Sequence, residues 1–200
     1  MNKLKKKRVI SVLKYTWPLY ILSTVIVAIL INVIFVITHR IPAYQTLTLF
    51  VSGEVTNPKQ LEADMLDKYQ NKELKTFSCI EAKPEDSGGY NTKLTINGYN
   101  SADVLIITAS KLEKLVVSAF ALDMSEELIS NYYQGYTLFA QDEVNYGVKL
   151  DKEKVKDYMT LPNEDCYMVL NGKSVNTGKY SSSQIEEHDN ALTLVKDWGM

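Results

Sequence analysis

The residues able to do chemistry are few and poorly grouped. The two histidines are His39 and His188. A Ser-His-Asp relay would have to use His188, and the chain has no GxSxG turn to present a nucleophile. Cys79 and Cys166 lie 87 positions apart, with no ligand spacing around them that would hold zinc. The acidic pairs Glu126/Glu127, Asp142/Glu143 and Glu186/Glu187 are adjacent in sequence. Neighbouring acids of that kind form a solvated face; acid–base work needs a cleft that shifts one of them. Neither a P-loop nor a GxGxxG turn is present. The expectation is a protein that is not an enzyme and carries no cofactor and no metal. A hydrolase working through carboxylates is the weakest of the readings.

Charge explains more. The chain holds 22 Lys+Arg and 24 Asp+Glu over 200 residues. Seven of those bases, from Lys3 to Arg40, precede the first acid, Glu54, which leaves 15 bases against 24 acids beyond it. An acidic body of this kind lacks the basic footprint of a nucleic-acid binder. Between the two regions, Trp17–Thr38 reads WPLYILSTVIVAILINVIFVIT without a charge. At 1.5 Å per residue it makes about 33 Å of helix, enough to cross a bilayer core of about 30 Å. Tyr15, Trp17 and Tyr20 mark a headgroup layer, and Pro18 reads as a first-turn residue. Five of the six residues from Lys3 to Arg8 are basic, so the positive-inside rule places 1–16 in the cytoplasm, 17–38 in the membrane and residues from about 41 onward outside. The run is longer than a secretory h-region and is followed by THRIPAYQ, with no small-residue cleavage site. It therefore reads as an uncleaved signal-anchor in the cell membrane. Asn32, its one amide, is placed to bond a partner helix, or is simply tolerated.

Residues 44–200 are enough for one domain with a core. The pattern predicts strands at Thr46–Val51, Leu74–Glu81, Ala102–Ile107, Tyr136–Ala140, Val144–Lys149 and Cys166–Leu170. Between them it predicts a helix capped by Asn57 with Pro58 at its start, a short helix over Tyr90–Ile96, and helices over Lys111–Phe120 and Ser125–Tyr132. Asp123 with Glu126 resembles a capping box, and Asp151–Tyr158 reads as a short charged helix. A last helix starts at Ser183 with Glu186 three residues on, and presents Ile185, His188, Leu192 and Val195 on one face. Alternating strands and helices give an α/β fold with a mixed, mostly parallel sheet, the antiparallel strands coming late. Outside a membrane a Cys79–Cys166 disulfide is chemically allowed; two buried thiols is the plainer reading.

Order and wording add a resemblance. TLTLFVSGEVTNPKQLEADMLDKYQ, LKTFSCIEA and YNTKLTINGYNSADVLIITASKLEKL follow one another much as in the first lobe of extracellular solute-binding proteins of ABC importers, the maltose-binding type in particular. AFALDMSEEL and YGVKLD resemble later segments of that family, and the likeness runs from about Leu47 to Leu128. The resemblance implies one truncated lobe, with a half-site at the carboxyl ends of its strands. The matching positions are Ser52, Gly53 and Glu54 after the first strand, and Thr108 and Ser110 after the third. There Ser52 and Gly53 would offer backbone N–H groups, and Glu54 would accept from a sugar. Partners implied are the membrane bilayer, a membrane transporter subunit and a small solute such as a sugar or peptide, with no nucleic acid. A single lobe cannot engulf a solute by hinge closure. The competing reading is a protein-interaction or sensory membrane subunit with no small ligand.

Overall fold

The computed structural model describes residues 3–181 and 184–200, with backbone alone for residues 3–15 and 87. The chain divides into a helical segment ending at Ile41 and a second unit, Pro42–Met200.

The first segment is one helix, α1 (Lys3–His39). Its apolar part, Thr16–His39, is 24 residues long and wholly unburied. Pro18 therefore sits inside the helix rather than in its first turn, because the basic stretch before it is helical too. The ring removes the N–H that would reach back to residue 14.

In the second unit β1 (Thr46–Ser52), β3 (Thr76–Ala82) and β4 (Val104–Thr108) form a parallel group, with β1 between the other two. β8 (Cys166–Leu170), β6 (Val144–Lys149) and β5 (Leu138–Gln141) add antiparallel strands beyond β4. The order is β3-β1-β4-β8-β6-β5, a mixed sheet of an α/β fold. A separate ladder pairs β2 (Glu54–Val55) with β7 (Met159–Thr160).

β4 is buried along its whole length, as its unbroken VLIIT requires. Val104 and Ile106 join Leu47, Leu49 and Val51 on one face, under α2 (Pro58–Lys68), α6 (Glu126–Tyr132) and α7 (Asn190–Trp198). Leu105 and Ile107 join Phe50 on the other, with Tyr90 of α3 (Ser87–Lys93), Leu94, and Leu112 of α5 (Ala109–Leu112). The short α4 (Tyr99–Ser101) precedes β4. Helices on both faces of the sheet make a three-layer domain.

Four local expectations change. The helix over Lys111–Phe120 breaks into α5 and a 3-10 turn at Val117–Ala119. Gln141 is the cause: its Oε1 accepts from Val117 N at 3.0 Å and its Nε2 donates to Leu115 O at 3.0 Å, replacing helical bonds. α6 is capped by Ser125, whose Oγ accepts from Leu128 N, and not by Asp123. Asp151–Tyr158 holds a single 3-10 turn at Lys152–Lys154. The last helix starts at Asn190, so Ile185 and His188 lie before it; the expected cap Ser183 lies outside the described residues. His188 instead stacks on Tyr44, with ring centroids 3.9 Å apart.

Candidate functional site

β1, β3 and β4 end on the same side of the sheet, so the topology brings Ser52, Gly53, Glu54, Thr108 and Ser110 to one edge. Most are already engaged there. Ser52 is the last residue of β1 and points to the α3 face. Its Oγ lies 2.7 Å from the Tyr90 hydroxyl, fully enclosed. Burial pushes the Tyr90 phenol up to about 12, against the opposing effect of that bond. Gly53 N donates to Val51 O and to Ala82 O, so its N–H is not free for a ligand. A Cβ on Gly53 would stand 2.5 Å from Thr160 O, which places the β7 backbone directly over the end of β1. Only glycine allows that approach.

Glu54 is exposed and pairs with Lys83 at 2.8 Å. Its hydrogen bond and charge hold the Lys83 ammonium above its ordinary value. With Gly53, Pro84, Leu161 and Pro162 this pair lines a shallow cleft of about 330 Å³.

On the far side Thr108 ends β4 with its hydroxyl buried beside the Glu164 carboxylate. Ser110 is taken by Glu164: its Oγ donates to Oε1 at 2.9 Å and its N to Oε2 at 3.1 Å. Burial works to raise the Glu164 carboxyl, but the Ser110 bonds, the nearby Thr108 hydroxyl and the Lys152 charge together outweigh it and hold the group below its ordinary value. Lys152 Nζ donates to Pro162 O and Glu164 O, and Lys149 pairs with Asp165 at 2.8 Å. The segment 159–165 is thus pinned across the carboxyl ends of β1 and β4. Sequence reading missed Lys152 and Glu164; the PNED turn before β8 was the signal available.

Cys79 and Cys166 are free thiols, so the disulfide allowed on chemical grounds is not formed. β3 and β8 are separated by β1 and β4. Three strand spacings amount to roughly 14 Å, beyond the ~7 Å limit between bridged Cα atoms. Burial pushes the Cys79 thiol up to about 12 and the Cys166 thiol to about 11. At neutral pH both thiols therefore stay protonated.

The opposite, amino end of the sheet is richer in buried polar groups. Asp103, just before β4, accepts from Thr48 N at 2.7 Å, Ser174 Oγ at 2.5 Å and Asn176 Nδ2 at 3.1 Å. Burial raises its carboxyl despite those three bonds. Asn171 donates to the carbonyls of Gly98, Tyr99 and Ala102. These residues close the loop after β8 over the start of β4, while Tyr44, Lys72, Glu73 and His188 line a cleft of about 510 Å³ before β1 and β3.

No family model matches the chain, and no curated protein matches it. Among solved structures, the maltose/maltodextrin-binding domain MalE from Bdellovibrio bacteriovorus, bound to maltotriose, is similar at 12% identity with a TM-score of 0.39. The likeness covers 52% of this chain and 28% of that one, so the chain spans a little over a quarter of its length.

Proposed function

We propose that the chain is a single-pass, membrane-anchored module, with its N-terminus in the cytoplasm and its α/β domain outside. It serves as an accessory binding subunit of membrane transport machinery rather than as a solute carrier. The observation that carries this is the apolar part of α1: 24 residues, none buried, with five bases among Lys3–Arg8 at one end. What favours an accessory role is the state of the carboxyl edge, where Ser52, Gly53 and Ser110 are spent on Tyr90, Ala82 and Glu164.

Alkaline carbonate extraction of membranes, followed by protease treatment of intact cells, tests the anchoring. The chain should stay in the pellet and lose its domain to external protease. Release into the supernatant would sink the reading, and a protected domain would reverse its orientation.

A second reading, capture of a small polar solute, is favoured by the cleft beside Glu54 and Lys83. Thermal unfolding of the full chain in detergent, against oligosaccharides, amino acids and peptides, separates the two. A ligand at about 100 times its dissociation constant adds roughly 2.7 kcal/mol, a rise of several degrees. A saturable rise abolished by Glu54→Ala selects the solute reading. No rise selects the accessory one.

A further inference from the structure

Most of the polar side chains in the apolar part of α1 are already satisfied within the helix. Ser23 Oγ and Thr24 Oγ1 both donate to Tyr20 O, at 2.9 and 2.8 Å. Thr38 Oγ1 donates to Ile34 O at 2.8 Å, and the His39 ring lies 3.0 Å from Phe35 O. Trp17 and Tyr20 carry their polar atoms near the start of the span, within reach of headgroups. Asn32 is different. It lies seven residues from the end of the helix, about 10 Å into the span, and has no bond among the described residues. Its side chain is too short to reach the interface as a lysine would. In hydrocarbon an amide without partners is costly, and water is not at hand to relieve it.

That amide ends a row of residues along the helix, at the edge of its more polar half. Tyr20, Thr24, Ala28 and Asn32 follow at steps of four along one ridge. At about 100° per residue, the aromatic, hydroxyl, alanine, amide and imidazole residues from Thr16 to His39 share one half of the circumference. The other half is Pro18 and otherwise Leu, Ile and Val alone. Small residues at Thr24 and Ala28 let a second backbone approach, the geometry of right-handed crossings in bilayers.

We propose that the occupant of this face is a second copy of the chain, in a parallel two-fold pair closed by Asn32 against Asn32. The choice of partner follows from complementarity of partial charge. Copies inserted by one topology rule run parallel, so a residue near the two-fold axis meets itself. An amide carries both a donor and an acceptor and so completes itself; a hydroxyl already bonded to its own helix does not. The inference rests on the membrane reading above.

The test uses the full chain in phosphatidylcholine–phosphatidylglycerol vesicles, labelled with donor and acceptor dyes and diluted with lipid. The wild type should transfer energy at low protein-to-lipid ratio. Asn32→Leu should weaken the pair about tenfold. Asn32→Gln, which keeps the amide, should restore most of it, Ala28→Ile should weaken it several-fold, and Val33→Leu on the opposite half should change nothing. A wild type that is monomeric at every ratio, or an Asn32→Leu variant that pairs as well as the wild type, overturns the second copy as occupant. Carbonate extraction keeps the two readings apart. Release from the membrane fails the anchoring and the pair together, whereas a retained monomer fails the pair alone.

Discussion

At the amino end of β4 a carboxylate, Asp103, is enclosed and gathers donors from Thr48, Ser174 and Asn176. At the carboxyl edge of the same sheet another carboxylate, Glu164, is exposed and gathers two bonds from Ser110. The same kind of group does the same local task, tying a returning loop to a strand end. Its surroundings reverse the electrostatics. Burial outweighs the bonds at Asp103 and raises it, while at Glu164 burial is outweighed by the hydrogen bonds and the Lys152 charge together, which lower it. The start of β4 is closed by those bonds; the carboxyl edge keeps a shallow opening beside Glu54 and Lys83. Polar residues at a strand end become a site only where the fold leaves them unsatisfied.

Asp103→Ala should strike hardest, since it strands three donors, two of them on buried side chains. A loss of about 3–5 kcal/mol is expected in denaturant unfolding of the full chain in detergent. A loss below about 1 kcal/mol would mean that the start of β4 is less firmly closed than its bonds suggest. Next comes Gly53→Ala, whose methyl meets the β7 backbone at Thr160. It should cost about 2 kcal/mol and detach segment 159–165, seen as faster amide exchange there. An unchanged exchange rate would remove the claim that β7 covers the strand end.

Ser52→Ala and Tyr90→Phe, singly and together, should each cost about 1 kcal/mol and couple in a double-mutant cycle. Additive effects would free Ser52 for a ligand and revive the half-site. The smallest effect belongs to Glu164→Gln, about 0.5 kcal/mol at neutral pH because the group is exposed. Its folded value lies below the unfolded one. Its contribution is therefore present above the ordinary carboxyl range and lost as the pH falls through the folded value. Wild type and variant melting temperatures should converge in acid. Asp103 carries the opposite sign: raised in the fold, it takes stability away as the pH climbs from its unfolded to its folded value. Convergence at high pH instead would reverse the assignment of the two ends.

Much of the frame is local and was legible in the residues. β-branched and aromatic runs at Thr46–Ser52, Val104–Thr108 and Cys166–Leu170 identify their strands, because burial on both faces demands continuous apolar side chains. Asn57-Pro58 marks the start of α2, and the uncharged run after Thr16 marks the apolar helix. Elements held by distant partners were not legible. Gln141 interrupts the expected helix at Leu115–Val117 from 24 residues away. Asn190 Nδ2 donates to Tyr44 O from the first turn of α7, although the sequence pattern starts that helix at Ser183.

The sequence by itself determined which strands are buried, where the long apolar helix runs and that the catalytic inventory is thin, since each depends on neighbours within a few positions. Only the tertiary structure decided the fate of the candidate site. Whether Ser52, Gly53 and Ser110 stay open depends on Tyr90, Thr160 and Glu164, residues 38 to 107 positions distant that no local pattern connects to them. The same holds for the thiols: strand order, not spacing along the chain, keeps Cys79 and Cys166 apart.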